Sequence, residues 1–220
     1  MQTRLRLEPE QTVEVIVLLG QGADVEESRR LILHYRKQNP DEMLSEVRRR
    51  WDDVAGALRV RTPDRAMDLL LNGWLLYQTL GCRVWARAGF YQAGGAFGFR
   101  DQLQDTMALA VAKPDVARRQ ILLAASRQFP EGDVQHWWHP PLGKGVRTHI
   151  SDDLVWLPFT VAHYLEVTGD EEVLAAEVPF IDGPPLPQEQ HDSYFEPQVS
   201  TQSASLFEHC ARALDCRLEV

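Results

Sequence analysis

Two adjacent carboxylates, Asp152 and Asp153, follow Ser151 where a helical pattern begins. A carboxylate at a helix start stays ionised when it accepts hydrogen bonds from backbone N–H groups. A carboxyl group that faces an apolar, ligand-filled cleft instead has a raised pKa and keeps its proton, as general-acid cleavage of a glycosidic bond requires. The alternative is that both aspartates simply favour the helix N-terminus, and the pair by itself favours that alternative.

A glycine-rich stretch, residues 94–98, leads directly into Arg100 and Asp101 at another predicted helix start. Glycines allow the backbone to approach a ligand closely. Asp101 and Asp105 are four residues apart and therefore share one helical face. Because carboxylates accept hydrogen bonds from hydroxyl groups and an arginine fork donates them, the stretch indicates a site for sugar hydroxyls. The alternative is a helix cap with a surface ion pair.

A third stretch, residues 135–140, contains His136, Trp137 and His139 next to a proline. Aromatic faces can pack on sugar rings, and histidines add hydrogen bonds. Two histidines three residues apart can also bind a metal, but no third ligand has a matching spacing. We therefore expect no metal here and favour the wall of a polar site, with aromatic core packing as the alternative.

The composition narrows the classes of partner. The 220 residues carry 32 acidic and 23 basic side chains, for a net charge of -9. A nucleic-acid surface needs a net basic face, so no nucleic-acid partner is expected. The three cysteines form no close pairs, which argues against a disulfide framework and favours reduced thiols in the cytoplasm.

Charged and polar residues interrupt the longest apolar segment, residues 66–84, which therefore predicts a buried helix and not a membrane span. The N-terminus also lacks the apolar run of a signal peptide. We expect a cytoplasmic chain, compatible with an inner-membrane anchor elsewhere in a longer parent protein.

The elements that must position these residues are mainly helical. The first twenty residues alternate like a strand, and periodic helical patterns follow. This order predicts a helical toroid and not a βαβ fold. The predicted helices cover residues 24–37, 41–58, 101–112, 114–128, 151–168 and 200–218, with one long helix beginning at Pro63, a glycine-rich loop over 90–99, a long loop over 129–150 and a proline-rich connector over 179–197.

Taken in order, these stretches resemble glycoside hydrolase family 94, which contains the inverting phosphorylases of cellobiose and chitobiose and the related C-terminal domains of cyclic β-1,2-glucan synthases. The matching motifs are Gly98–Asp105 (GFRDQLQD), Gln128–Gly132 (QFPEG), Ser151–Leu157 (SDDLVWL) and Thr168–Asp170 (TGD). Residues 195–198 and 205–210 resemble the synthase branch, and the likeness runs over roughly residues 10–218.

The resemblance implies a mainly α fold: a partial (α/α)6 barrel preceded by a helical linker and the tail of a β-sandwich. Residues 1–22 would be the sandwich tail, 23–60 the linker and 61–220 the N-terminal part of a truncated catalytic barrel. Because the pattern starts and stops in mid-architecture, we expect a fragment.

The family pattern also implies roles for particular residues. Asp152 would be the general acid, and Arg100 and Asp105, with Asp101 nearby, would hold the sugar on the donor side of the bond. Asp153, the weaker candidate for the acid, is added with His136 and Trp137 to the substrate-binding set.

The implied reaction is phosphorolysis of a β-glucan oligosaccharide, without a cofactor and with inorganic phosphate as co-substrate. Ile150 stands where phosphorylases of the cellobiose type tend to have Trp, which favours the β-1,2-glucan branch. The phosphate-binding residues would lie beyond Val220, in a missing remainder of the parent, and a homodimer is left open. The alternatives are a non-catalytic glucan-binding module and an inactive fragment of a larger synthase.

Overall fold

The computed structural model describes residues 2, 4–85 and 94–218. Helices are the main secondary structure, as the sequence pattern predicts. They belong to two units, Met1–Arg50 and Trp51–Val220. No helix within the described ranges is long and apolar enough to cross a lipid bilayer.

The first unit contains helix α1 (Val25–Tyr35) and most of helix α2 (Pro40–Ala55). Asp24 caps α1, because its carboxylate accepts a hydrogen bond from the Glu27 backbone N–H at 2.7 Å. Described residues 2 and 4–22 form no strand, so the strand expected from their alternation is wrong for these residues. A strand needs a paired neighbour to satisfy its backbone groups. The assignment of this segment to a β-sandwich stays a prediction.

The second unit contains the last residues of α2 and then a helical run over residues 65–84, which confirms the long predicted helix but contains a kink. The kink lies at Asn72 and Gly73, and Gly73 has a positive φ of 118°. A Cβ at Gly73 would come within 2.9 Å of the Ala55 Cβ, so glycine is required there for both space and conformation. The segments of this run are α3 (Arg65–Leu69), a π-helical turn (Leu70–Trp74), α4 (Leu75–Tyr77) and a second π-helical turn (Gln78–Val84).

Four further helices build the core around the candidate site. They are α5 (Phe99–Ala112), α6 (Pro114–Ala125), α7 (Asp153–Thr168) and α8 (Leu206–Leu218). Helix α5 packs against both α6 and α7, and α8 packs against α7. Leu103, Ile121 and Leu157 are fully buried between these helices. The predicted bounds of α5 and α6 are confirmed to within a few residues. Pro114, in the first turn of α6, marks the boundary between the two helices.

Two small antiparallel sheets replace much of the expected irregular structure. Strands β1 (Phe97–Gly98), β2 (Gln135–His139), β3 (Lys144–Thr148) and β5 (Asp192–Phe195) form one sheet in the order β1-β2-β3-β5, and β4 (Glu177–Asp182) pairs with β6 (Gln198–Ser205). Three predictions are therefore partly wrong, because strands occupy parts of the predicted loop over 129–150 and of the predicted connector over 179–197, and the last helix begins at Leu206 and not at 200. Most of these strands have six residues or fewer, too few to establish a period of two, and the eight residues of β6 are mostly polar. Residues 90–93 of the expected glycine-rich loop lie outside the described residues.

Arg147 is a buried cation that fixes strand β3. Its side chain is 3% exposed and donates to both carboxylate oxygens of Asp133 at 2.6 Å each. It also donates to the Pro184 carbonyl at 2.9 Å, and its guanidinium lies 3.8 Å from the centre of the Phe129 ring. A bidentate, stacked arginine satisfies its donors while buried. Arg147 therefore ties β3 to the segments that precede β2 and β5.

Replacing Arg147 should strongly destabilise the protein. In Arg147→Ala, Asp133 loses its partner, and we expect the free energy of unfolding to fall by about 3–5 kcal/mol, measured by urea denaturation. The control is Arg119→Ala, whose ion pair with Asp115 is exposed, and which should change stability by less than about 1 kcal/mol. Equal losses in the two variants would contradict a special role for Arg147.

Candidate active site

Arg100 and Asp152 form a short ion pair between two packed helices. Arg100 lies in the first turn of α5, and Asp152 immediately precedes α7. The Arg100 Nη1 donates to Asp152 Oδ2 at 2.6 Å. The side chains are 42% and 47% exposed, so a ligand can reach both. The Arg100 guanidinium holds the pKa of Asp152 below its usual range, and Asp152 in turn raises the pKa of Arg100.

Asp153, by contrast, points into the protein and is only 2% exposed. Its Oδ2 lies 2.6 Å from His136 Nδ1, and an ionised carboxylate can only accept, so the imidazole N–H donates. The second oxygen, Oδ1, is buried without a hydrogen-bond partner among the described residues. A buried carboxylate with one satisfied oxygen is costly, which makes the contact with His136 important.

A β-bulge brings His136 to Asp153. Gln135 pairs with Arg147 and Trp137 pairs with Val146, so two steps on β2 match one step on β3. His136 is the extra residue. Bulges re-aim side chains and are common beside active sites. The local irregularity of β2 therefore positions the imidazole against the start of α7.

The charges of this region act on one another as a group. The hydrogen bond to Asp153 is the main cause that raises the pKa of His136, while burial opposes it. Asp101 further raises this pKa, and Arg100 lowers it. We use the name charged cluster for Arg100, Asp101, His136, Asp152 and Asp153. Its mixture of donors and acceptors can bind a polyhydroxylated ligand.

The structure thus brings together five of the seven residues singled out from sequence, and it places the other two beside different partners. Asp105 accepts a hydrogen bond from Arg83 Nε at 2.9 Å. Trp137 contacts the ring of Tyr194. The interpretation that one aspartate caps α7 through its side chain is wrong for Asp152, which makes no such bond.

Arg83 is a functional candidate that sequence reasoning missed. It lies at the end of the helical run over 65–84 and reaches Asp105 on α5. Its local signal is a cation in a largely apolar segment that other polar residues also interrupt, and such a cation by itself also describes a surface residue. Its ion pair with Asp105 joins two different helices, so the periodicity of either helix could not reveal it.

A comparison with protein-family models identifies the superfamily of this chain. The model described as "Glycosyl hydrolase 94 superfamily, catalytic domain" matches residues 50–220. The chain belongs to this superfamily. The resemblance inferred from the ordered motifs is therefore confirmed, and every residue of the charged cluster lies within the matched range.

The relatives that this glycosyl hydrolase 94 chain resembles include a glucan synthase and several phosphorylases. It is 52% identical over 202 residues to the cyclic β-(1,2)-glucan synthase NdvB of Rhizobium meliloti, covering 92% of the chain and 7% of that protein. It is 27% identical to an N,N'-diacetylchitobiose phosphorylase of Vibrio proteolyticus, covering 100% of the chain and 28% of the relative. For a solabiose phosphorylase of Paenibacillus borealis the identity is 36%, over 64% of the chain and 16% of the relative. The chain thus spans a minor part of each of these relatives.

The pair formed by His136 and Asp153 should be visible by titration. Asp153→Asn removes the charge that stabilises the imidazolium, so the pKa of His136 should fall toward its ordinary value of about 6.5. The measurement is an NMR titration of the His136 ring, with Asp170→Asn as control because Asp170 instead pairs with Arg118 and Tyr164. An unchanged His136 titration in Asp153→Asn would refute the pairing.

The same pair sets a pH dependence of stability. The pKa of His136 in the folded state lies above its value in the unfolded state. The pair with Asp153 therefore adds to the free energy of unfolding in full below pH about 6.5, and this addition is lost as the pH rises through the raised folded-state pKa. Asp153→Asn should flatten this part of the curve of unfolding free energy against pH.

Proposed function

We propose that this chain forms part of an inverting glycoside phosphorylase type of domain that acts on β-glucan, with Asp152 as general acid. The observation that carries the proposal is the 2.6 Å contact between Arg100 and Asp152 within a glycosyl hydrolase 94 sequence. A carboxyl group and an arginine fork, both accessible to a ligand, can serve one sugar unit from two sides.

In the proposed reaction the Asp152 carboxyl gives its proton to the glycosidic oxygen as the bond from that oxygen to the anomeric carbon breaks. A phosphate oxygen attacks the anomeric carbon from the opposite face and forms the new bond. A β-glucoside then yields α-glucose 1-phosphate and a shortened glucan. Inverting hydrolysis needs a second carboxylate to activate water. Phosphate is already a nucleophile, so one catalytic carboxylate and an anion site suffice, without a cofactor.

The charge state of Asp152 makes Arg100 part of this proposal. With Arg100 on Asp152, the lowered pKa keeps the carboxyl ionised at neutral pH, a form that cannot donate a proton. In our proposal a bound sugar takes over the Arg100 donors and covers Asp152, and both changes raise the pKa of the acid. Arg100 thus binds the sugar and controls protonation of the acid.

Asp153 and His136 have a supporting role in the same proposal. Asp153 is 2% exposed, so it acts on the substrate through His136 and not by direct contact. The hydrogen bond to Nδ1 fixes the ring and directs Nε2 away from Asp153. His136 and Asp101 then supply further hydrogen bonds to hydroxyl groups, and Asp105 contributes through the neighbouring turn of α5.

A cavity lined in part by residues 148–151, which directly precede Asp152 in the chain, supports an acceptor sugar on the other side of the bond. Its volume is about 210 Å³, and it is lined by the residues that immediately precede the aspartates together with the segment near Pro185. Ile150 is part of this lining and is 40% exposed. The aliphatic side chain and the 52% identity to a cyclic β-(1,2)-glucan synthase support β-1,2-linked glucan as the substrate class.

The domain arrangement of the proposal follows the family resemblance. Residues 61–220 would form the first part of an (α/α)6 barrel, residues 23–60 a helical linker and residues 1–22 the end of a β-sandwich. Paired helices α5 to α8 support the barrel, since an (α/α)6 barrel is built from consecutive helix pairs.

A second candidate function is a glucan-binding module without catalysis. The observation that favours it is again the ion pair, because an ionised Asp152 accepts hydrogen bonds from sugar hydroxyls but has no proton to give. The two candidates differ in whether turnover depends on Asp152.

Asp152→Asn tests the catalytic role. In the full-length protein we expect phosphorolysis of a β-1,2-glucan oligosaccharide to fall by at least about 10²-fold, because the amide cannot act as the acid, while glucan binding survives. Release of glucose 1-phosphate and calorimetric binding give the two readouts, and Asp115→Asn on the exposed face of α6 is the control. Near-normal turnover in Asp152→Asn would favour the binding module.

Arg100→Gln tests the control of protonation. Without the guanidinium the pKa of Asp152 rises, so the limb on which kcat/KM falls with increasing pH should move to higher pH. The absolute kcat/KM should also fall, because the arginine binds the sugar. Arg118→Gln is the matched control, since Arg118 is 39% exposed and pairs with the remote Asp170. If the falling limb of the kcat/KM profile stays at the same pH in Arg100→Gln, Arg100 does not control the protonation of Asp152.

A further inference from the structure

Trp137 and Tyr194 form an aromatic surface that the charged cluster does not use. Their ring centres are 5.6 Å apart and the ring planes are inclined by 40°. Tyr194 is 52% exposed and Trp137 is partly exposed. We use the name aromatic platform for Trp137 and Tyr194 with the flanking His139 and Lys144.

The sheet register explains why these rings meet. Trp137 on β2 pairs with Val146 on β3, and Val146 pairs with Tyr194 on β5. Directly paired residues of an antiparallel sheet project to the same face. Val146, a small side chain that is 8% exposed, lies on the strand between the two rings. The rings can therefore approach each other across the middle strand.

Polar groups flank the platform on both sides. The Lys144 Nζ lies 4.8 Å from the centre of the Tyr194 ring. The His139 ring packs edge-on against Trp137 at 5.2 Å, and its Nε2 contacts the Gly94 carbonyl at 3.1 Å. Ring faces bordered by an ammonium, an imidazole and a phenol hydroxyl suit a ligand that has both C–H faces and hydroxyl groups. An apolar protein surface would leave the Lys144 ammonium and the Tyr194 hydroxyl without partners.

The platform lies next to the charged cluster along strand β2. Trp137 directly follows His136, whose ring is hydrogen-bonded to Asp153 beside Asp152. Trp137 is thus one strand step, about 3.4 Å, from a residue of the charged cluster, a separation that the next unit of a bound glucan chain would span. A disaccharide fills the positions on either side of the cleaved bond and has no further unit to place there.

We infer that the aromatic platform is an outer subsite that binds glucose rings of a glucan chain beyond the two units flanking the cleaved bond. The inference rests on the proposed function and adds to it the residues that bind the outer units of the oligosaccharide. Trp137 and Tyr194 supply ring-stacking surfaces, and Lys144 and His139 supply hydrogen bonds. The expected signature is affinity that depends on chain length.

Tyr194 is the residue to change, because it is half exposed and its removal leaves no large cavity. In the full-length protein, Tyr194→Leu removes the aromatic face, and Tyr194→Phe retains it. The probes are a linear β-1,2-linked gluco-hexasaccharide and the corresponding disaccharide, with Kd measured by calorimetry. We expect Tyr194→Leu to weaken hexasaccharide binding roughly tenfold, with disaccharide binding unchanged and Tyr194→Phe close to the wild type.

Trp74→Leu is the matched control, because Trp74 is a 53% exposed tryptophan that contacts Tyr77 elsewhere in the same unit. It should leave both Kd values unchanged. Thermal unfolding of each variant accompanies the titrations. Equal weakening of both sugars by Tyr194→Leu would overturn the inference, because the ring would then belong to the subsites at the cleaved bond. Unchanged hexasaccharide binding would also overturn it, and a loss of stability with that result would identify the platform as an internal packing surface.

The outcomes separate this inference from the proposed function. If Asp152→Asn turns over normally while Tyr194→Leu weakens only the hexasaccharide, the platform stands and the catalytic assignment fails. If Asp152→Asn is inactive and Tyr194→Leu binds both sugars normally, the catalytic assignment stands and the platform inference fails.

Discussion

The hydrogen bond from His136 to Asp153 holds the candidate site together, because it satisfies one oxygen of a carboxylate that is almost completely buried. The cost of leaving such a group unpaired forces the bulged strand β2 against the start of helix α7. Asp152, the preceding residue, then faces the accessible side and meets Arg100. The position of the proposed acid is therefore a consequence of where its neighbour is buried.

Two adjacent aspartates thus occupy different environments, since successive residues at a helix start point in directions about 100° apart. The inward carboxylate serves structure and orients an imidazole, whereas the outward one is available for chemistry. Arg100 lowers the pKa of the outward carboxylate. Under the proposed function, a site of this kind would link protonation of Asp152 to the binding of substrate, which suits a reaction in which water must not replace phosphate as the nucleophile.

The four-stranded sheet positions side chains on both of its faces. Its core face holds Trp138 and Arg147, both buried, while the opposite face carries Trp137 and Tyr194. The buried ion pairs of Arg147 fix β3, and β3 in turn sets the distance between the two exposed rings. One sheet therefore connects a stabilising cation, the imidazole of the charged cluster and an aromatic surface, through the alternation of side chains along its strands.

The sequence by itself determined the mainly helical class, the bounds of α5 and α6 and the family, because these depend on local periodicity, helix-start chemistry and ordered motifs. It also singled out, as candidates, the five residues that the structure brings together in the charged cluster. Only the tertiary structure decided that Asp153 and not Asp152 is buried, that Arg83 contacts Asp105 and that Tyr194 joins Trp137. Each of these facts is a contact between elements far apart in the chain. Strands β2 to β6 escaped prediction for a related reason: a short strand is stabilised by its paired neighbour, and that neighbour is not recorded in the strand's own residues.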